Sequence, residues 1–536
     1  MRLFRSKVRP QKLTEHISER KTFLENILLP CVLFSALTGI FTGALIFSFN
    51  LLSTFVVHQS SEMYHWFREN PKFAPLLILG VLLMGLIAGW MLKTFPSARG
   101  GSLPVAVALL RGHIAFRWIP NIVFVYLSSM ITYLVGVPLG NEAPCVQMGA
   151  AAGKGTVRMF TKKHRAWDRY IMTGGACAGF AVTTGAPLSG IFFALEEAHR
   201  RFTPMIIMVA TMSTTAAVLT SRWLCNLFNV ELTIISVALE NVLQMKDIWI
   251  VVILALVCGI FAAIFSKCYE KIRHGIEKMR TRVHFIFRLE AVFLLVAIFG
   301  LISGHFVNDG HNLLHEIVHA EHAWQFLLLY LLVRSLLVIL SNGVGATGGL
   351  FVPTLVFGAM IGSICAQIFI SLGLLAPEAA PIMIVIGMAA YKGSSMRTPI
   401  TAIIFAVEVL SGLNNIPYII LAVAIAYLTV ELLGAEPVRE FVYEACIKQE
   451  HGDKERHVYD LSLTVQPDAF VIGKETRDIL WPPECVVMAV HHDTGHRSHG
   501  EHGVHAGDVL DLHFASYDKE HTMNLLYDLV GEQPQS

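Results

Sequence analysis

The chain has 536 residues, of which 54% are hydrophobic and only 15% are charged, and its mean hydropathy is +0.57. Soluble domains carry about 25% charged residues, so this composition excludes a water-soluble enzyme, a disordered scaffold and a nucleic-acid-binding protein. The formal net charge of +1, from 41 Lys and Arg against 40 Asp and Glu, indicates no charged macromolecular partner. The sequence therefore predicts a polytopic membrane protein with additional soluble parts.

The N-terminal segment, residues 1–22, is rich in Arg and Lys and precedes the first apolar run. Because such basic segments stay on the cytoplasmic side of a membrane, we expect a cytoplasmic N-terminus. The segment has no small-residue cleavage site, so we expect no removable signal peptide. Nine cysteines are scattered along the chain without a CxxC pair, which favours neither disulfides nor a zinc site.

Ten apolar runs follow, and several reach the roughly 20 residues that a membrane-spanning helix needs. They lie at about 27–57, 74–95, 119–137, 204–226, 248–268, 288–308, 324–341, 350–373, 380–391 and 417–433. Four further segments are too short to span a membrane and are rich in Gly and Pro, at about 101–112, 142–152, 170–183 and 187–198. Since interrupted segments at membrane depth typically line a cavity, the sequence predicts an all-α membrane domain with short broken helices.

An internal repeat relates two parts of this region. Four pairs align at offsets of 209 or 212 residues: Gly185–Glu196 with Arg397–Glu408, Gly140–Pro144 with Gly349–Pro353, Gly149 with Gly358, and Gly175 with Gly387. Ordinary small-residue helix contacts would not share nearly one shift. We therefore predict a transport domain over 23–448, built from halves at about 27–235 and 245–448.

From about residue 449 the composition becomes that of a soluble chain. Residues 487–490 belong to an alternating segment typical of a strand, and residues 518–530 show an amphipathic helical pattern. We predict a small C-terminal α/β domain at 457–536, after a polar linker, with both termini of the chain in the cytoplasm.

Three short sequences share one design, in which glycine is followed by a proline that opens a small-residue helix. They are Gly100–Pro104, Gly140–Pro144 and Gly349–Pro353. A helix N-terminus carries unpaired N–H groups and about half a positive charge, and it binds anions. Each motif alone is only a break between helices, but together they predict an anion site. We expect helix ends and no buried cation at this site, since a full positive charge would trap the ion.

Two acidic positions are candidate proton carriers, because a carboxylate in an apolar membrane segment is expensive. Glu142 lies inside one of the helix N-termini, where it would occupy the anion's place when ionised and vacate it when protonated. Glu196 and Glu197 close another apolar run. Either one is a structural acid and the other a proton acceptor, or both form a helix end paired with Arg200 or Arg201.

The combination of these motifs resembles the CLC family of chloride channels and anion/proton antiporters over about residues 20–450. The motifs are Gly-x-Glu-x-Pro at 140–144, Ala-Pro-Leu-Ser-Gly-Ile-x-Phe-x-x-Glu-Glu at 186–197, Gly-Gly-x-Phe-x-Pro at 348–353 and Arg-x-Pro-x-Thr at 397–401. The resemblance implies a homodimer of two independent pores, each made of two inverted halves. It also implies that Glu142 is the gating glutamate and Glu197 the internal proton glutamate, with backbone N–H groups of Phe351 and Val352 at the central anion site.

The sequence departs from the family pattern at three anion-binding positions. Gly101 replaces the serine that usually contacts the anion, and Ser102 lies one position further along. Asn141 replaces the usual Arg or Lys before the gating glutamate, a feature similar to the fluoride-exporting branch. For the central tyrosine, a gapless match gives Arg439, whereas four extra residues align Tyr443; we prefer Tyr443.

We predict a multi-pass protein of the bacterial inner membrane, not an enzyme, that transports chloride in exchange for protons. The acidic residue Glu197 favours proton coupling over an uncoupled channel. The alternatives are a fluoride/proton antiporter and an uncoupled voltage-gated chloride channel. The predicted partners are chloride or fluoride, protons, lipid and a second copy of the chain, without nucleic acid or cofactor.

The C-terminal segment resembles the TrkA-C (RCK-C) regulatory module from Asp468–Lys474 through Val504–Leu510. The resemblance implies a small regulatory ligand, without NAD, because no dinucleotide fold precedes the module. Six histidines crowd one loop of this segment, His491, His492, His496, His499, His502 and His505. They indicate either metal or pH sensing or a solvated hairpin loop, and we favour the loop.

His315-Glu-Ile-Val-His319 matches the zinc-protease helix motif. It provides a remote alternative, a membrane metalloprotease. The segment lies in a polar connection and offers no clear third ligand, so we predict no metal site.

Overall fold

A computed structural model of the chain describes residues 29–100, 103–160, 166–230, 243–280, 282–319, 322–410, 412–452, 454–492, 497–498 and 503–532. The predictions for the basic segment 1–22, for Gly101 and Ser102, and for His496, His499 and His502 lie outside these residues.

Eight helices form the first half of the membrane domain over the described parts of residues 29–230. They are α1 (Leu29–Glu69), α2 (Ala74–Thr94), α3 (Leu103–Arg111), α4 (Trp118–Leu134), α5 (Glu142–Phe160), α6 (Ala166–Thr184), α7 (Pro187–Phe193) and α8 (Pro204–Phe228). Nine helices follow over the described parts of residues 243–452. They are α9 (Ile248–Met279), α10 (Phe285–Ile302), α11 (His311–Val318), α12 (Trp324–Val344), α13 (Phe351–Ser371), α14 (Ala380–Ser395), α15 (Pro399–Glu408), α16 (Ile416–Leu432) and α17 (Val438–His451).

Seven of the described helices are long and apolar enough to cross a membrane, namely α1, α2, α8, α9, α10, α12 and α13. This finding confirms an integral multi-pass membrane protein. The helices α3 and α7 are short, with 9 and 7 residues. The segments predicted to be too short at 142–152 and 170–183 instead belong to α5 and α6, which are continuous helices of 19 residues. Their glycines serve close packing between helices and do not break them.

The two halves repeat the same contacts. A Cβ atom on Gly149 of α5 would collide with the carbonyl oxygen of Gly175 on α6, and the reverse also holds. The aligned pair Gly358 and Gly387 makes the same contact between α13 and α14. Because only glycine lets two helix backbones approach this closely, the repeated pair supports the predicted duplication.

A small antiparallel sheet follows the membrane domain. Its strands are β1 (His457–Thr464), β2 (Cys485–His491), β3 (Arg497–Ser498) and β4 (Val509–Ser516), and α18 (Lys519–Val530) comes last. The strand order is β1-β4-β2-β3, and β4 pairs along its whole length with β1. Fully buried side chains such as Val490, Leu510, Phe514 and Leu526 form its core. The predicted α/β character of this segment is confirmed.

This C-terminal domain docks on the beginning of α6. The Arg169 guanidinium donates hydrogen bonds of 2.8 and 2.9 Å to the carbonyl oxygens of Leu480 and Trp481. The Tyr170 hydroxyl donates to the Asp478 carbonyl at 3.1 Å and accepts from the Leu480 N–H at 2.9 Å. The domain is therefore joined to the membrane helices by buried polar contacts and not only by the linker.

Lys474 makes the stability of this domain dependent on pH. Its side chain is 6% exposed, and burial lowers the pKa of Lys474 to about 7. The pKa of lysine in an unfolded chain is about 10.4, so between these two values the unfolded state binds more protons. The free energy of unfolding should therefore rise with pH in this window, by up to about 1.4 kcal/mol per pH unit.

Hydrogen exchange of strand β4 in the full-length protein, corrected for the intrinsic exchange rate, measures this slope. The Lys474→Met variant should be more protected than the parent at pH 7 and should lose the slope. Equal slopes in parent and variant would contradict the assignment to Lys474.

Candidate functional site

Backbone hydrogen bonds join three segments that precede helices. The Gly140 N–H donates to the Gly349 carbonyl at 2.9 Å, and the Gly349 N–H donates to the Gly140 carbonyl at 2.7 Å. The Gly100 N–H donates to the Gly345 carbonyl at 3.0 Å, and Gly345 has a φ of +89° that favours glycine. The N-termini of α5 and α13 therefore lie side by side, and the chain before α3 is attached to the same region.

Glu142 fills the space between these helix ends. Its side chain is buried, with 2% exposure. The backbone N–H groups of Glu142 itself and of Val352 donate to the carboxylate. Oε2 has no hydrogen-bond partner among the described residues and lies where a side chain at Gly140 would stand. A carboxylate held by helix N-termini occupies the position that an anion would take.

A cavity of about 520 Å³ leads toward Glu142 from one side of the molecule. Its lining includes His58, Arg222, Asn141 and Tyr133. His58 lies about 40 Å further along α1 than Cys31, whose thiol interacts with Lys474 of the C-terminal domain. The cavity therefore opens on the side opposite to that domain, and we call it the outer cavity.

A charged pair forms part of the lining of this cavity. His311 Nδ1 is 2.8 Å from Asp309 Oδ2, with side-chain exposures of 27% and 15%. Both residues interact electrostatically with Glu142. Sequence patterns do not link Asp309 and His311 to Glu142, because the pair lies more than 160 residues away along the chain.

Glu196 and Glu197 have separate surroundings. The Glu196 carboxylate accepts hydrogen bonds from the N–H groups of Ile400 and Thr401 at 2.9 and 2.7 Å, so it caps the start of α15. The aligned Glu408 caps the start of α7 in the same way, through Leu188 and Ser189. Glu196 is thus a structural acid. Of the alternatives left open by the sequence, this favours the one in which one of the two glutamates is structural and the other is the candidate proton acceptor.

Glu197 is 5% exposed and interacts electrostatically with Lys392 and Arg439. It lies in the π-helical turn Ala194–Ala198 that follows α7. Its surroundings are those of a buried acid within a cluster of charges, as a proton carrier would require.

Sequence comparison decides the family. The family described as "Voltage gated chloride channel" matches residues 84–431, which is more than half of the chain. The chain belongs to this family. The predicted resemblance to CLC proteins is therefore confirmed, and with it a fold used by membrane transport proteins.

Solved structures of CLC proteins share this fold. A slow cyanobacterial Cl⁻/H⁺ antiporter is 22% identical, with a TM-score of 0.72 over 78% of this chain and 98% of that one. A CLC-type fluoride/proton antiporter is also 22% identical, with a TM-score of 0.64 over 77% of this chain and 98% of that one. A eukaryotic CLC transporter is 19% identical, with a TM-score of 0.60 over 78% of this chain and 74% of that one.

This CLC protein has a buried cation beside its helix ends. Lys392 on α14 is 1% exposed, its Nζ donates to Thr398 Oγ1 at 2.9 Å, and Nζ lies 4.8 Å from the centre of the Phe351 ring. The ammonium interacts electrostatically with Glu197 and Glu142. The expectation that no buried cation stands at the site is wrong. Lys392 directly follows the apolar run at 380–391, and the last turn of α14 places its side chain against α13.

The internal repeat contained a signal for this lysine. At the offset of 212 residues, Lys392 corresponds to Phe180, which is buried and packs edge-on against Phe351 at 5.0 Å. The second half thus has a lysine where the first half has a core phenylalanine. Because a buried charge needs a partner, this difference between the halves marks Lys392 as a candidate site residue.

The structure does not bring Tyr443 to the helix ends. Its ring lies 5.6 Å from the His113 ring and 5.2 Å from the Arg111 guanidinium. Arg439, the gapless alternative, interacts electrostatically with Glu197 instead. The two residues are four apart and share a face of α17, so a shift of one helical turn exchanges their places. The geometry does not support the preference for Tyr443.

The other predicted anion-binding residues have the following places. Phe351 and Val352 form the first turn of α13 and are 2% and 1% exposed. Asn141 precedes α5 and lines the outer cavity. Val352 is the one whose N–H bonds to the Glu142 carboxylate.

The residues of the zinc-protease motif make contacts outside the motif as well as within it. His319 Nδ1 bonds to the carbonyl oxygen of His315 at 2.8 Å. The carboxylate of Glu316, the residue that would act as the general base, lies against His305 and His322 instead. The rings of His315 and His319 lie 4.2 Å apart, but the glutamate of the motif is held by two histidines outside it.

Proposed function

We propose that this CLC protein is an antiporter that exchanges chloride for protons. The observation that carries the proposal is the buried pair Glu142 and Glu197, one between the helix ends that would hold an anion and the other on the side of the C-terminal domain. Lys392 interacts with both carboxylates. A single membrane domain thus combines an anion site with two candidate proton carriers.

The anion would bind where the Glu142 carboxylate now lies. The N–H of Val352 and the N-terminus of α5 provide partial positive charge there, and Lys392 adds a full charge nearby. Protonation of Glu142 would release its carboxylate from these donors and admit the anion from the outer cavity, past His311 and Asn141. The site would therefore hold either the ionised carboxylate or the anion, and the anion could enter only after Glu142 has taken up a proton.

Protons would reach Glu142 from the opposite side through Glu197. The ring of Phe351, the residue before Val352, is buried and packs edge-on against Phe180 and Phe405 at 5.0 and 5.1 Å. Such packing keeps anions on the helix-end route. We propose that the two ions share Glu142 and separate beyond it.

The choice between chloride and fluoride rests on Asn141 and on the position of Gly101. A neutral residue such as Asn141 before the gating glutamate is similar to the pattern of the fluoride-exporting branch, whereas glycine at position 101 differs from that pattern. The solved chloride/proton and fluoride/proton antiporters are equally similar in sequence, at 22%. We propose chloride as the substrate, with fluoride as the alternative that flux measurements decide.

Reconstitution in liposomes tests the function. The protein should release chloride down its gradient while protons move in the opposite direction, and a proton gradient should drive chloride uptake. Chloride flux without proton movement would indicate an uncoupled channel, and a preference for fluoride would replace the substrate. Absence of any anion flux would overturn the proposal.

The Glu197→Gln variant should abolish proton movement and retain anion flux, because the amide keeps the shape of the side chain but carries no exchangeable carboxyl proton. We expect the ratio of protons to anions to fall to the background of empty liposomes. The measurement is simultaneous recording of chloride efflux and external pH.

Two neighbouring variants serve as controls. The exposed Glu444 on α17 lies outside the cluster, and Glu444→Gln should leave the ratio unchanged. Glu196→Gln weakens the cap of α15 and should lower thermal stability without removing coupling. If Glu197→Gln retained full coupling, the proton route would not pass through Glu197.

We propose that both termini lie in the cytoplasm of a bacterial cell. The support is the distribution of cations: the ends of α5 and α9 carry Arg158, Arg273 and Lys278, and α6 docks on the C-terminal domain through Arg169. Positive residues favour the cytoplasmic side of the inner membrane.

We also propose a homodimer, in which α7, α8, α15 and α16 form the interface. Apolar side chains on these helices, such as Leu188, Ile400 and Ile420, are 55%, 40% and 47% exposed. The mutual capping by Glu196 and Glu408 holds α7 and α15 together as one surface.

For the C-terminal residues 457–536 we propose a TrkA-C-like regulatory domain that binds a small ligand. Its support is the motif resemblance and its attachment to α6. The proposed boundaries of the transport domain remain 23–448.

A further inference from the structure

Three side chains with metal-ligating atoms meet at the outer ends of α10 and α12. His305 Nδ1 lies 3.2 Å from Glu316 Oε2, and His322 Nε2 lies 2.7 Å from the same oxygen. All three ligand atoms are within 4.8 Å of one another. The side chains are between 16% and 33% exposed, so the cluster is accessible to ions and still shielded from bulk water. We call it the outer histidine cluster.

The ligand chemistry matches a zinc site. Two imidazole nitrogens and one carboxylate oxygen are ligands that Zn²⁺ accepts, at about 2.0–2.2 Å in tetrahedral geometry. Ligand atoms in such a site lie about 3.3 Å apart, which compares with 3.2 and 2.7 Å from Glu316 Oε2 to the two histidine nitrogens. The fourth position would face solvent. The ring of Tyr330, 5.0 Å from the His305 ring and 5.5 Å from the His322 ring, forms a rigid wall beside the cluster.

The cluster lies on the side of the membrane opposite to the C-terminal domain. The helix α9 ends and α10 begins among basic residues, including Arg280 and Arg288, which mark the cytoplasmic side. His305 follows the other end of α10. Zinc would therefore reach the cluster from outside the cell.

One buried arginine connects the cluster to the region of Glu142. Arg334 is 0% exposed, and its guanidinium donates to the carbonyl oxygens of His305, Val307 and Asn308 at 2.9, 3.0 and 2.8 Å. The next residues in the chain include Asp309, whose pair with His311 faces Glu142. Residues 303–311, which we call the outer segment, thus run from the cluster to the gate.

We propose that His305, Glu316 and His322 bind Zn²⁺ from the extracellular side and that the bound ion slows transport. The metal would hold the outer segment at His305 while Arg334 holds its middle, so that the pair Asp309 and His311 loses the freedom to move when Glu142 leaves its site. The effect on transport rests on the proposed function, whereas metal binding stands independently of it.

Direct binding is the first test. The purified full-length protein is prepared with the His492→Ala and His505→Ala substitutions, because His492, His505 and Asp508 form the other described group with metal-ligand spacing. Equilibrium dialysis against Zn²⁺ should give about one ion per chain, and Co²⁺ should show the strong visible absorption of a tetrahedral site. His322→Ala should weaken binding by at least about 100-fold, since even outer-shell changes cost 10–100-fold.

A matched control comes from another outer histidine. His65 and Glu69 form an exposed pair at 3.6 Å on α1, and His65→Ala should leave zinc affinity unchanged. Absence of zinc binding, or binding that survives both His305→Ala and His322→Ala, would overturn the site.

Transport then tests the consequence. External Zn²⁺ should reduce anion flux in liposomes by more than half, and chelation should restore it. His322→Ala should show normal flux that zinc does not inhibit. Zinc binding at the cluster without inhibition of a functional transporter would overturn the regulatory role, whereas loss of flux in the zinc-free parent would instead contradict the proposed function.

Discussion

The Glu142→Ala variant is expected to conduct anions without moving protons. In the structure the carboxylate occupies the position between the N-termini of α5 and α13 and accepts the Val352 N–H. Alanine would leave that position open to an anion at every pH and would remove the group that we propose takes up the proton. The ratio of protons to anions should fall to background, and anion flux should lose its dependence on pH.

Parallel recording of chloride and proton flux in liposomes at pH 4.5 and pH 7.5 measures both effects. The control is Glu290→Gln, since Glu290 lies on α10 and packs beside Gly85 of α2, away from the helix ends. Retention of pH-dependent, proton-coupled flux in Glu142→Ala would show that another residue closes the pathway.

The Lys392→Met variant is expected to bind anions more weakly and to lose stability. Its ammonium is buried near Phe351 and interacts with two buried carboxylates. Removing one partner from a buried charge cluster costs about 3–5 kcal/mol, and methionine conserves the length of the side chain. Losing a full positive charge beside the helix ends should raise the chloride dissociation constant at least about tenfold, which corresponds to 1.4 kcal/mol.

Isothermal titration with chloride and thermal unfolding in detergent measure these effects separately. Lys392→Arg keeps the charge and should retain most of the affinity. Combining Lys392→Met with Glu197→Gln removes both charges and should recover part of the thermal stability, which separates an electrostatic effect from misfolding. Unchanged chloride affinity in a folded Lys392→Met variant would show that the lysine does not contribute to the anion site.

These predictions imply a site in which both the partial charges of the helix N-termini and the full charge of Lys392 attract the anion. Helix N-termini alone would hold a chloride ion weakly enough to release it. A lysine at the same place would retain the ion unless carboxylates balance its charge. Glu142 and Glu197 provide that balance, so the protonation state of either acid would set how strongly the anion is held.

The sequence predicted features that depend on residues close together in the chain. The Gly-x-x-x-Pro motifs identified the helix starts at α5 and α13, and the isolated Glu142 identified a buried acid, because burying a carboxylate in an apolar segment is costly wherever the segment lies. The repeat identified two equivalent halves, since duplicated segments keep the glycines at which helices cross. The CLC family followed from the same motifs.

The sequence could not decide contacts between distant residues. Whether Glu196 or Glu197 is structural depends on α15, which lies about 200 residues further along the chain. Tyr443 and Arg439 differ by one helical turn, which sequence spacing does not resolve. The prediction that α5 and α6 are interrupted failed for a related reason: glycine breaks a helix that faces water or lipid, yet it is required where another helix packs against it.

By itself, therefore, the sequence determined the membrane class, the family, the two halves and the acid between the helix ends, because each follows from local composition or from a repeated pattern. Only the tertiary structure placed Lys392 beside Phe351, joined Asp309 and His311 to Glu142, and assembled the outer histidine cluster. These arrangements arise when segments far apart in the chain pack into one protein, and electrostatic interactions are strong at such contacts because water is excluded from them.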